Sequence, residues 1–117
     1  MQLLFTDTKN AVLDSMIQLI EQKRADILAA NQMDLDQFTK TDQALYDRLI
    51  VNDQKIDGMI QSIRAVRSQD DPVGAEISTI VLDSGLKISN RAAPFGSILI
   101  IYESRPDVTI EAAVLAF

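Results

Sequence analysis

The chain has 117 residues, no Cys, no His and a formal charge of −6, with 47% of its residues apolar. That length allows one domain with a single modest core, and the composition is that of a folded chain rather than a disordered one. The acidic balance disfavours nucleic acid as a partner, while the missing Cys and His exclude disulfides, the usual zinc sites, a thiol nucleophile and an imidazole base.

No segment approaches the length of a membrane span, and no basic start followed by an apolar core opens the chain. The sequence therefore reads as a cytoplasmic protein. From about Thr8 to Asn31, Leu13, Met16, Ile17, Ile20, Ile27 and Leu28 recur at helical spacing, which predicts one amphipathic helix. Thr6, Asp7 and Thr8 are its candidate caps, and Asn31, tolerant of left-handed backbone, is its expected end. A shorter helix is predicted from about Asp42 to Leu49, with Thr41 as cap and Leu45 and Leu49 inward. Asn52 then caps a third, Asp53 to about Arg67, whose stripe is Ile56, Met59, Ile60, Ile63 and Val66. Gly58 weakens that helix by roughly 1 kcal/mol relative to Ala without breaking it. Arg64 and Arg67 near its end suit the helix dipole and read as a solvated face.

Asp70 to Gly74 is a turn that closes a helical half, 1–70, and marks its boundary with the C-terminal segments. Ile80 and Leu82 lead into Asp83-Ser84-Gly85, after which Leu86 and Ile88 resume the alternation. This predicts a β-hairpin over 75–92 with a Gly bulge. Its other face, Thr79, Val81, Lys87 and Ser89, is mostly polar. An isolated hairpin is marginal, so this one is expected to cover the core or to pair with another subunit.

Ile98 to Ile101 is a short apolar run, β-branched at all but Leu99, and predicts a buried strand of a parallel sheet. Pro106 and Asp107 suit the first turn of a helix, and Val108 to Phe117 is apolar nearly all round, as in a helix buried on every side. The region 97–117 is thus expected to be a strand then a helix, the first unit of a larger sheet. A strand without partners and an apolar final helix lead to the expectation that the chain is the N-terminal part of a longer protein. The fold class expected is α/β: N-terminal helices, a hairpin and the first strand–helix unit of an incomplete Rossmann-like domain. In such sheets ligands sit beyond the strand ends, beside helix N-termini, which singles out Glu103 to Asp107.

These residues also carry a resemblance. Ile27-Leu-Ala-Ala-Asn31 with Asp34-Leu35, Leu45-Tyr-Asp-Arg-Leu49, Ile63-Arg64, Asp71-Pro-Val-Gly74, Pro94-Phe-Gly96 and Ile100-Ile-Tyr-Glu-Ser-Arg-Pro-Asp-Val-Thr109 resemble, in order, the N-terminal blocks of the gamma-glutamyl phosphate reductase family. That family is part of the aldehyde dehydrogenase superfamily. The resemblance covers essentially the whole chain, and its most specific part is Tyr102 to Pro106. It implies an NADP-dependent reduction of L-glutamate 5-phosphate to L-glutamate 5-semialdehyde in proline biosynthesis. It also implies a homo-oligomer, contact with glutamate 5-kinase, and residues 1–117 as the start of the cofactor-binding domain. The family reaction runs through a Cys thioester and hydride transfer from the nicotinamide. This chain has no Cys, so it is expected to be inactive alone. Where the family most often has Asn after Arg-Pro, this chain has Asp107.

The site implied is one binding substrate or cofactor phosphate, built from Glu103, Ser104, Arg105, Asp107 and Thr109. A planar guanidinium beside a helix N-terminus grips phosphate bidentately, so Arg105 leads; its alternative role is a salt bridge to Glu103 or Asp107. Ser104 resembles the superfamily position that holds an oxyanion through a side-chain amide, and its alternative is a helix cap. Tyr102 and Glu103 orient the loop, and Thr109 bonds a phosphate or a backbone group. The rival reading of the whole chain is a non-catalytic oligomerisation or interaction module, in which apolar surface left exposed drives association.

Overall fold

A computed structural model describes residues 4–39, 41–103 and 105–117. In chain order the elements are α1 (Thr6–Gln22), α2 (Arg24–Asp36), α3 (Gln43–Leu49), α4 (Asp53–Arg67), β1 (Glu76–Val81), β2 (Lys87–Arg91) and α5 (Pro106–Ala116). The fold class is α/β, as expected, with the sheet a two-stranded antiparallel one.

The α4 stripe forms the centre. Ile56, Met59, Ile60 and Ile63 are all buried and meet Leu13 and Ile20 of α1, Val51 of the preceding loop and Val114 of α5. Helix α4 thus lies between α1 and α5. Asn52 caps it as its side chain accepts from Lys55 N–H at 2.9 Å.

Several expectations are corrected. The helix predicted over 8–31 is two helices that meet at Lys23 (φ −97°, ψ 8°), and the second runs on to Asp36. Phe5 occupies the N-cap of α1, without a side-chain bond. Thr6, Asp7 and Thr8 therefore lie inside the first turn. Asn31 ends nothing: it is buried within α2, its amide bonded to the end of α3 and to the α3–α4 loop. The cap of α3 is Asp42, not Thr41, because the Asp42 carboxylate accepts from Ala44 and Leu45 N–H at 2.9 and 3.2 Å.

The hairpin forms in the predicted place. Ile80 faces Ile88 and Thr79 faces Ser89, with an irregularity between Glu76 and Ser78. Leu82 N–H donates to Leu86 O and Gly85 N–H to Leu82 O, with Gly85 at φ 85°. That left-handed backbone is why Gly ends the loop. The hairpin does not cover the core. Ile77, Ile80, Val81, Leu86 and Ile88 stay 50–66% exposed, and the molecule extends 69 × 30 × 21 Å. Its radius of gyration, 19.7 Å, compares with roughly 13 Å for a compact chain of this length.

Residues 97–101 form no strand, and Ile98 to Ile101 are 44–88% exposed. Backbone donors and acceptors of a strand need a neighbouring strand, and the only ladder among the described residues joins β1 to β2. Helix α5, expected to be buried all round, is buried on one stripe. Val114 is 2% exposed, with Ile110 and Phe117 against the core, while Leu115 is 76% exposed.

Candidate functional site

The stretch singled out in the sequence runs into the start of α5. Arg105 holds the N-cap position with non-helical backbone (φ −137°, ψ 86°), and Pro106 and Asp107 open the helix. Pro suits this place because its missing N–H is one a first turn leaves unbonded in any case. Val108 N–H donates to Arg105 O at 3.0 Å and closes the first turn. The side chains of Glu103 and Arg105 are exposed, and Asp107 is half-buried. Ser104 lies outside the described residues.

Two features refine the expected roles. Tyr102 and Thr109 are joined by a hydroxyl–hydroxyl hydrogen bond of 2.6 Å. This bond ties Tyr102 to the first turn of α5. Thr109, expected to bond a phosphate or a backbone group, has the Tyr102 hydroxyl as its partner. The second feature is Asp107, whose Oδ1 is buried without a hydrogen-bond partner. The salt bridge considered between Arg105 and Asp107 is therefore not made through that oxygen. The arrangement offers an exposed cation, a helix start and an acceptor-only carboxylate. It offers no thiol, since the sequence has no Cys.

Charge clusters elsewhere are structural. Arg24 at the start of α2 reaches Glu21 (2.8 Å), Asp57 (2.6 Å) and Asp53 (3.2 Å), joining the starts of α2 and α4. Bonds from Glu21 and then Asp57 raise the guanidinium's pKa further above its ordinary value. Arg67 pairs with Asp14 through two nitrogens at 3.0 and 3.2 Å, linking α4 to α1, and this bonding raises its pKa. Asp71 accepts from Lys9 Nζ at 2.7 Å, Thr6 Oγ1 at 3.1 Å and Val73 N–H at 3.0 Å. The Lys9 bond, then the Val73 N–H, holds its carboxyl below the ordinary range. Sequence pattern alone does not single out Asp71 as a tether, although an Asp before Pro in a turn is a signal of a side chain bonding local backbone. A groove between α4 and α5, lined by Ala65, Val66, Ile110, Val114 and Leu115 with Ser62 and Glu111, is mostly apolar. Among the described residues no acidic cluster suits a metal ion, and no helix is long and apolar enough to cross a membrane.

No family model matches the chain. Curated relatives do. The gamma-glutamyl phosphate reductase of Leptospira interrogans serogroup Icterohaemorrhagiae serovar Lai is 40% identical over 116 residues, covering 97% of this chain and 28% of the relative. That of Vibrio vulnificus (strain YJ016) is 40% identical over 112 residues, 94% of this chain and 27% of the relative. That of Persephonella marina is 43% identical over 112 residues, 94% and 25%. The crystal structure of gamma-glutamyl phosphate reductase from Thermotoga maritima superposes with a TM-score of 0.89 at 38% identity, over 98% of this chain and 28% of that one. The chain thus spans little more than a quarter of the length of these relatives. In fold and sequence together the chain is similar to one α/β segment of these larger reductases. In particular, it is similar along nearly its whole length to the N-terminal part of gamma-glutamyl phosphate reductase.

Proposed function

We propose that the chain serves as the N-terminal part of an NADP-dependent reductase that converts L-glutamate 5-phosphate to L-glutamate 5-semialdehyde in proline biosynthesis. The observation that carries this reading is the match, at 38% identity and a TM-score of 0.89, over 98% of the chain. On this reading residues 1–117 belong to the cofactor-binding domain, and the complete protein is a cytoplasmic homo-oligomer in contact with glutamate 5-kinase. The chain by itself is inactive, because covalent hydride-transfer chemistry needs a thiolate and the sequence holds no Cys.

Within that reaction the residues 103–109 form one wall of the ligand site. Arg105, exposed at the start of α5, is the group that fits a phosphate of substrate or NADP. The carboxylates of Glu103 and Asp107 oppose an anion, so they suit ligand donors such as ammonium or hydroxyl groups. Ser104 bonds an oxyanion, and Thr109 bonds the Tyr102 hydroxyl. The nicotinamide cofactor supplies the hydride; these residues bind and orient.

The test uses a complete reductase that begins with this sequence. Arg105→Ala should raise KM for the acyl phosphate or for NADPH about tenfold, the loss of one charge-assisted hydrogen bond, with an unchanged unfolding midpoint. If KM for both ligands stays as it was, Arg105 is not in the site.

A second reading rests on the hairpin, whose apolar residues are half to two-thirds exposed. There the chain is an oligomerisation module without chemistry of its own. Light scattering on the 117-residue chain distinguishes its consequence, since a monomer at all accessible concentrations removes the module reading.

A further inference from the structure

The hairpin is an arm whose direction its own packing does not set: its strands bond each other, and their apolar side chains stay exposed. What holds the arm to the helical body is a continuous run of hydrogen bonds at its root. From α1, Lys9 Nζ and Thr6 Oγ1 both donate to Asp71 Oδ2, at 2.7 and 3.1 Å. Oδ1 of the same carboxylate accepts from Val73 N–H at 3.0 Å. Ala75 N–H then donates to Pro72 O, Gly74 N–H to Ala92 O, and Ala92 N–H to Ala75 O, at 3.1, 2.9 and 3.0 Å. One side chain therefore bonds the first turn of α1 through one oxygen and, through the other, the Val73 N–H of the turn that leads into β1. The Lys9 and Asp71 side chains are only 15% and 14% exposed, so the pair is partly shielded from the screening that weakens surface pairs.

We propose that Asp71 is a clasp that fixes the direction of the hairpin arm relative to the α1–α4 body. Flanking it are the places where the arm can turn: Gly74, at φ 80°, and residues 92–96, which form no helix or strand. The helical core does not depend on the clasp, since its buried side chains come from α1, α4, α5 and Val51. Opening the clasp leaves both parts folded and the angle between them free. The arm's direction decides what its exposed strands can meet, so the clasp governs presentation of that surface.

The chain lacks Cys, so Gln61→Cys on α4 and Ser84→Cys at the hairpin tip give one spin-label pair for distance measurement on the 117-residue chain. The parent should show one narrow distance distribution. Asp71→Asn and Lys9→Met should each broaden it, with unchanged far-ultraviolet circular dichroism. Arg67→Met, which removes the Asp14 pair between α1 and α4 without touching the hairpin root, should leave it narrow. Should Asp71→Asn unfold the chain, Lys9→Met decides, because it spares the Asp71–Val73 bond. A distribution that stays narrow in Lys9→Met, or that broadens equally in Arg67→Met, overturns the proposal.

Discussion

Asn31 and Val51 are locked together across the interior: Asn31 Oδ1 accepts from Val51 N–H at 2.7 Å, while Asn31 Nδ2 donates to Leu49 O at 2.8 Å. One amide thereby satisfies an acceptor at the end of α3 and a donor of the α3–α4 loop, and that loop sets Val51, 8% exposed, into the core. Asn31 is itself 5% exposed. Asn31→Ala leaves a buried N–H and a part-buried C=O without their partner, and the cost expected is about 2 kcal/mol. Urea unfolding at neutral pH checks this, and a loss within experimental error would mean that water reaches the loop and replaces the amide.

The two candidate caps of α3 separate cleanly. Asp42 accepts two backbone N–H groups of the first turn, so Asp42→Ala should lose about 1 kcal/mol. Thr41→Ala should lose little, as Thr41 stands outside the cap position. The comparison is of the two urea midpoints under one condition. Equal losses would show that α3 is held by its contacts with α2 rather than by its cap.

The parts of this fold legible in the sequence are those decided locally. The α4 stripe follows from spacing, and the Asn52 cap from a side chain three residues from its donor. The hairpin turn follows from the left-handed backbone that Gly85 supplies. Asn31 misled because its local preference for helix ends lost to a tertiary use, a bond to residues 18 and 20 positions away. The Asp71 clasp was hidden for the same reason, its partners being 62 and 65 residues distant. Residues 98–101 misled differently. Their apolar run signals a capacity for burial, whereas a strand also needs a neighbour to bond. At the candidate site, Arg105, Pro106 and Asp107 could be placed from helix-start chemistry alone. The Tyr102–Thr109 bond could not, since it depends on how the loop folds back over the first turn.

Core substitutions should divide α4 from α5. Ile56 and Ile63 are fully buried, so replacing either by Ala opens a cavity in the packed centre and should cost 2–5 kcal/mol, about the usual range for such sites. Leu115, although in the most apolar helix, is 76% exposed. Leu115→Ala should change stability by no more than about 0.5 kcal/mol. A large loss at Leu115 in the 117-residue chain would mean that α5 packs on its other face in solution, as in an association between copies.

The Asp71 clasp also predicts a pH dependence whose sign is fixed by the direction of its shift. The Lys9 ammonium and the Val73 N–H favour the ionised carboxylate in the folded chain and hold its pKa below the unfolded value of 3.8. The folded state therefore binds fewer protons than the unfolded state across that interval. The clasp's contribution is complete above the unfolded value and is lost as pH falls through the lower, folded one. Stability, followed by urea midpoint at constant ionic strength, should decline below about pH 5. In Asp71→Asn that decline should be shallower, because the Asp71 carboxylate is gone. The diagnostic quantity is the difference between the parent and Asp71→Asn curves. That difference should be widest at neutral pH and shrink towards zero in acid; a constant difference at every pH would mean that the charge on Asp71 contributes nothing.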